Sequence, residues 1–114
     1  MDIKRGDIFL VDLNPVVGAE QAGIRPALVI QVDKANAASP HTVIIPFTTR
    51  IREVKLPSHV RIPAAIGGLA EDSILLCEQI RVIDKRRLVR KIGSISEEYL
   101  GEVGTAIKVV LGLE

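Results

Sequence analysis

Arg25-Pro26-Ala27-Leu28-Val29-Ile30-Gln31 and, ten residues further on, Thr42-Val43-Ile44-Ile45-Pro46-Phe47 are the two stretches that decide the fold. Both are dense in aliphatic and β-branched side chains, the mark of strands. The residues between them are too few for the crossover that a parallel pair requires, so the two pair antiparallel. With Gln31 opposite Thr42, counting along the strands brings Arg25 opposite Thr48. Pro26 opens its strand and holds Arg25 extended. Pro46 has no amide hydrogen and places its strand at an edge or a bulge. A guanidinium then lies beside two consecutive hydroxyls, Thr48 and Thr49, a grouping that suits a phosphate.

On the N-terminal side, 12 residues from Asn14 to Arg25 separate this pair from an earlier apolar run, Ile8–Val11. Connections between adjacent strands usually take about 2–5 residues. The excess contains Glu20 and Gln21, and Gly18 and Gly23 can supply unusual backbone angles. A long polar loop on an apolar body is where function is expected, and Glu20 and Gln21 hang from it over Arg25 and Thr48.

Further strands are predicted at about 7–12, 59–63, 73–78, 80–83 and 88–93, beside those at 26–32 and 42–47. An amphipathic helix is predicted at about 97–111, capped by Ser96, with Glu97 and Glu98 at its positive end and Leu100, Val103, Ile107 and Val110/Leu111 as its apolar stripe. Gly101 and Gly104 weaken it and suggest close contact with the sheet or another subunit. Asp33–Ser39 and Asp84–Arg87 can each hold a helical turn. The fold class is mainly β (a β-rich α+β fold): one domain over 1–114, a small, strongly curved, partly open SH3-like β-barrel with a C-terminal α-helix.

Only three residues are aromatic, Phe9, Phe47 and Tyr99, although 47% of the chain is hydrophobic. Single strands are commonly bound by stacking bases on several rings, and this chain offers Phe47 at most. Nucleic acid would be bound by charge, hydrogen bonds and shape. Residues 1–49 carry four Lys/Arg against five Asp/Glu, residues 50–91 ten against five, and residues 92–114 one against four. The central block is a candidate polyanion footprint, although Lys85-Arg86-Arg87 alone reads as a solvated turn. Cys77, the single cysteine, permits no intrachain disulfide and reads as buried and inert. His41 and His59 read as solvated loop residues. No His/Cys/carboxylate spacing suits a metal. No apolar run has membrane-spanning length, and Met1-Asp2-Ile3-Lys4-Arg5-Gly6 lacks signal-peptide character, so the expected location is the cytoplasm.

Several segments share their order and spacing with a known family: Arg5-Gly6-Asp7-Ile8, Asn14-Pro15 through Gly18, Glu20-Gln21, Gly23, Arg25–Ile30, Pro46-Phe47-Thr48-Thr49, Leu56-Pro57-Ser58-His59-Val60, Asp72-Ser73 and Glu78–Asp84. On these the chain resembles the MazF/PemK-type (Kid-type) endoribonuclease toxins. The resemblance implies a dimeric toxin that cuts single-stranded RNA at short sequences, without a ribosome, metal or cofactor. The 2′-hydroxyl attacks the adjacent phosphate, leaving a 2′,3′-cyclic phosphate and a 5′-hydroxyl. A cognate antitoxin with a disordered acidic, apolar tail is the implied partner. The family's catalytic Arg and Thr fall on Arg25 and Thr48, and a loop carboxylate implicated in some members falls on Glu20. Gln79 and Arg81 fall where the family contacts RNA, and Gln21, Phe47, Thr49, Arg50, Arg52 and Glu78 complete the expected RNA-binding set. Glu20 is the candidate base and Glu78 its alternative; Glu20 is equally readable as a partner of Arg25 that shapes the loop. Some members have His where this chain has Ala19, and Arg where it has Leu76, so their acid–base assignments do not transfer. Two rival readings stay open: a CcdB-like toxin that binds DNA gyrase without catalysis, and an inactive binding barrel.

Overall fold

The computed structural model describes residues 2–51 and 56–114. In chain order the elements are β1 (Asp7–Asp12), β2 (Ile24–Val29), a short α1 (Asp33–Ala38), β3 (His41–Thr48), β4 (His59–Ile62), β5 (Ser73–Leu76), β6 (Arg81–Asp84), β7 (Leu88–Ser94) and α2 (Glu97–Leu111). Single 3₁₀ turns occupy Ile66–Gly68, Cys77–Gln79 and Lys85–Arg87. The seven strands form one sheet in the order β4-β5-β3-β2-β1-β7, with β6 also paired to β3, and every pairing is antiparallel. β4 and β7 end the path without pairing to each other, so the curved sheet stays open. No helix among the described residues is long and apolar enough to cross a membrane.

Ala27 pairs with Pro46, Leu28 with Ile45 and Val29 with Ile44, the register expected from Gln31 opposite Thr42. A polar knot fixes it at the closed end. Asn36, 3% exposed, accepts from the Thr42 hydroxyl at 2.7 Å and from Gln31 Nε2 at 3.0 Å, and donates to the Gln31 carbonyl at 2.9 Å. A buried carboxamide with its groups paired stabilises one geometry and penalises others.

Both faces of the central strands are covered. Ile8, Leu28, Ile45 and Phe47 pack beneath Leu100, Val103 and Ala106 of α2. Their sequence neighbours Phe9, Ala27, Val29 and Ile44 turn the other way and meet Val11, Leu13, Ile83 and Leu88 inside the curve of the sheet. Two-sided burial is why β2 and β3 read as continuous apolar runs rather than alternating ones. Each large side chain buried in this way contributes about 1.5–3 kcal/mol.

Pro46 is neither at an edge nor at a bulge, contrary to the sequence expectation; its strand is central. The Ile30 amide donates to the Val43 carbonyl at 3.0 Å, so bonding to β2 falls on alternate β3 residues and the Pro46 nitrogen faces the other way. On that side β6 pairs residues 41–44 and β5 pairs 47 and 48. Pro46 occupies the gap between the two partners, where no amide hydrogen is called for.

α2 has the predicted bounds, and the Ser96 side chain accepts from the Tyr99 amide at its start. Leu111 lies outside the buried stripe at 53% exposure, and Ala106 takes part in it. Gly101 and Gly104 make no close contact with the sheet: a β-carbon at either would meet nothing within 4 Å. The tight approach lies elsewhere, at Gly93, whose added β-carbon would fall 2.2 Å from the Gly67 carbonyl oxygen. Gly93→Ala is expected to lose roughly 3 kcal/mol or more of stability, whereas Gly101→Ala gains about 1 kcal/mol. Urea unfolding midpoints of the two variants check both signs.

Candidate active site

Arg25 stands across from Val11 on β1, and the β2–β3 register continued by two residues sets it level with Thr48. Side chains two apart on a strand share a face. Arg25 and Thr48 therefore share the face of Leu13 and Pro46, and those two line a cleft of about 210 Å³ together with Glu20, Gln21, Glu78, Gln79, Ile80 and Arg81. The two ends of the expected site, the long loop and the turn before β6, thus meet over the strand pair that carries Arg25 and Thr48.

Arg25 Nε donates to the Ala22 carbonyl at 2.6 Å. Among the described residues, neither terminal guanidinium nitrogen of Arg25 has a protein partner, so both are available to an anion. Thr48 Oγ1 accepts from the Arg50 amide at 3.2 Å, which leaves its hydroxyl hydrogen free to donate. Both side chains are half-buried, while Thr49 and Arg50 are exposed.

The loop is held by side chains rather than by a backbone ladder. Gln79 Oε1 accepts from the Gln21 amide at 2.9 Å, and Gln21 Nε2 donates to the Phe47 carbonyl at 3.3 Å. Glu20 Oε1 accepts from the Val17 amide at 2.5 Å and makes no ion pair with Arg25, so it shapes the loop through its own backbone. Arg81 Nη1 donates to the Leu13 carbonyl at 3.4 Å and brings a positive charge to the cleft wall.

Phe47 departs from expectation. At 2% exposure its ring belongs to the core under α2, because β3 alternates and Thr48 takes the cleft face; only its carbonyl serves the site. Arg52 lies outside the described residues. His59 was missed as a partner. Its Nε2 lies 3.1 Å from Glu78 Oε2, with the imidazole 15% exposed against 41% for the carboxylate. The signal was the β4–β5 hairpin, whose register sets His59 across from Leu76 and so diagonally near Glu78. Gln79, given as an RNA contact, is already engaged with the loop. Cys77 sits in the core, and burial, with a smaller effect from the Glu78 carboxylate, pushes its thiol up to about 12. Among the described residues, no group of three His, Cys, Asp or Glu side chains is placed to hold a metal ion.

The chain belongs to the PemK-like, MazF-like toxins of type II toxin–antitoxin systems, whose family model matches residues 4–111. It is 47% identical to endoribonuclease EndoA of Bacillus subtilis over 99% of this chain and 97% of that protein. It is similar to the crystal structure of MazF from Deinococcus radiodurans, with a TM-score of 0.86 and 26% identity over 99% of each chain. It is also similar to a chain of a MazE–MazF crystal structure from that organism, with a TM-score of 0.79 and 26% identity over 100% of this chain and 99% of that one.

A thiol raised to about 12 stays protonated at pH 8 and is a poor nucleophile. A disulfide reagent at pH 8 is expected to leave Cys77 of the folded protein unmodified and to react quickly once urea unfolds it. Rapid labelling of the native protein would place the thiol nearer the cleft than the core.

Proposed function

We propose that the chain is a sequence-selective endoribonuclease, the toxin of a toxin–antitoxin pair, cutting single-stranded RNA without metal or ribosome. The observation that supports this is the register that sets Arg25 level with Thr48, beside the cleft lined by Glu20, Gln21, Glu78 and Arg81. A scissile phosphate in that row meets the two terminal guanidinium nitrogens of Arg25 and the Thr48 hydroxyl. The 2′-hydroxyl attacks the phosphorus, its proton goes to a base, and the P–O5′ bond breaks. The products are a 2′,3′-cyclic phosphate and a 5′-hydroxyl, the latter taking up a proton.

Arg25 stabilises the charge that builds on the phosphoryl oxygens, and such preorganised donors are worth about 10²–10³ in rate each. A guanidinium keeps its proton in proteins, so its part is electrostatic. The Thr48 hydroxyl donates to a non-bridging oxygen. Glu20 is the proposed base, reaching the cleft from the loop that its bond to Val17 shapes. Glu78, tied to His59, is the second carboxylate of the cleft and the alternative base. Gln21, Gln79, Arg81, Thr49, Arg50 and Arg52 bind flanking nucleotides, Glu78 lines their path, and Phe47 contributes its backbone alone.

A homodimer and a cognate antitoxin are the proposed assemblies, in the cytoplasm. The antitoxin's acidic, apolar tail covers the cleft, meets the cations Arg25, Arg50 and Arg81 around it, and dissociates more readily as salt rises. The endoribonuclease relative EndoA favours this function over a gyrase-binding one.

The test is incubation of the purified protein with a long single-stranded RNA in excess EDTA, beside Arg25→Ala, with both new ends analysed. Site-selective cuts with cyclic-phosphate and 5′-hydroxyl ends are expected, slowed at least about 10²-fold in the variant. Intact RNA over varied sequences, or equal cutting by Arg25→Ala, would overturn the reading.

A further inference from the structure

Lys85-Arg86-Arg87, which reads in the sequence as one solvated basic turn, divides into three unlike roles. Lys85 donates to the Asn36 carbonyl in α1. Arg86, with a 91% exposed side chain, pairs with Asp84 at 3.1 Å. Arg87 is half-buried and, among the described residues, has no carboxylate partner. Its Nη1 donates to the Asp12 carbonyl at 3.2 Å and to the Asn14 carbonyl.

Those two carbonyls are the outgoing limb of the loop that carries Glu20 and Gln21. The same limb bonds across to the returning one: the Leu13 amide donates to the Gly23 carbonyl at 3.0 Å, and the Gly23 amide to Asn14 Oδ1 at 3.1 Å. Asn14 is therefore held three times: by Arg87 through its carbonyl, by Gly23 through its side chain, and by Asp12 Oδ1, which accepts from its amide at 3.0 Å. Beyond this neck the loop is fastened at its far end, by Gln79 to Gln21 and by Arg25 to Ala22. With the neck displaced, both contacts shift, and with them Glu20, Gln21 and the angle at which Arg25 is held.

We propose that Arg87 is a positioning residue for the reaction: by spanning the Asp12 and Asn14 carbonyls it fixes the neck of the loop and so the placement of Glu20, Gln21 and Arg25 over the cleft. Its catalytic part rests on the nuclease reading above. Among the described residues, Arg87 makes no hydrogen bond or ion pair with a cleft-lining side chain, and it is not proposed to touch substrate. Both bonds leave one nitrogen, Nη1, whose two hydrogens are fixed in the guanidinium plane, so the spacing of the two carbonyls is fixed with them. A lysine keeps the charge, but its ammonium ends one bond short of Nη1 and its hydrogens rotate.

Arg87→Lys and Arg87→Met are compared with the wild type by single-turnover and steady-state RNA cleavage, and by amide hydrogen exchange. Both variants are expected to exchange faster at Leu13, Gln21 and Gly23 while the α2 amides keep their protection. Both should lose about 10- to 100-fold in kcat, with KM changed by no more than about threefold. Wild-type kcat in Arg87→Lys, with a salt-sensitive rise of KM in Arg87→Met, would show that only the charge matters and overturn the proposal. So would unaltered exchange at the loop amides, or faster exchange with unaltered kcat. If the wild type fails to cut RNA, the nuclease reading falls, the catalytic part of the proposal falls with it, and the exchange data alone decide whether Arg87 holds the neck.

Discussion

The register between β2 and β3 is the constraint on which the rest depends. A slip of one residue turns every side chain of a strand to the opposite face. Here it would drive Phe47 into the cleft, send Thr48 toward the helix and separate it from Arg25. The Asn36 knot with Gln31 and Thr42 holds the closed end. Burial of both faces penalises slippage along the middle. Pro46 can sit only where β3 exchanges β6 for β5, which fixes the open end. Three unrelated restraints therefore agree on one alignment, and the position of Arg25 relative to Thr48 follows from it.

Against that rigid pair stands a loop with few backbone partners of its own. It is held at the neck by Arg87, Arg81 and the Leu13–Gly23 contact, and at the cleft by Gln79 and Phe47. The division of labour is physical: strands set Arg25 and Thr48, and the loop brings a carboxylate and a carboxamide to the cleft. Gln79 and Arg81 hold the loop now and are also the residues proposed to bind nucleotides. Under the proposed function, RNA binding would exchange internal hydrogen bonds for intermolecular ones and select a ligand that replaces them well.

Much of this was legible in the chain itself. The short separation of two β-rich runs sufficed for the antiparallel pair, and the register counted from Gln31 opposite Thr42 is the one observed. Ser96 and the two acids after it located α2 because capping is a local interaction. Phe47 was misjudged because a strand buried on both faces carries no polar alternation to show which side is solvent. Pro46 was misplaced because a strand that changes partners midway leaves no mark except the proline. His59 and Arg87 escaped notice for a common reason: each acts through a turn whose geometry joins residues far apart in sequence, His59 with Glu78 and Arg87 with Asn14. Isolated His and Arg side chains in turns read as solvated until that geometry is known.

The measurement that bears most directly on the central claim is a double-mutant cycle on RNA cleavage with Arg25→Ala, Thr48→Val and their combination. If the two side chains grip one phosphate from the same row, their effects are strongly non-additive, and the double variant is scarcely slower than the worse single one. Rate losses that multiply cleanly would mean that Arg25 and Thr48 act on separate groups, and that the strand register does not build a shared phosphate site.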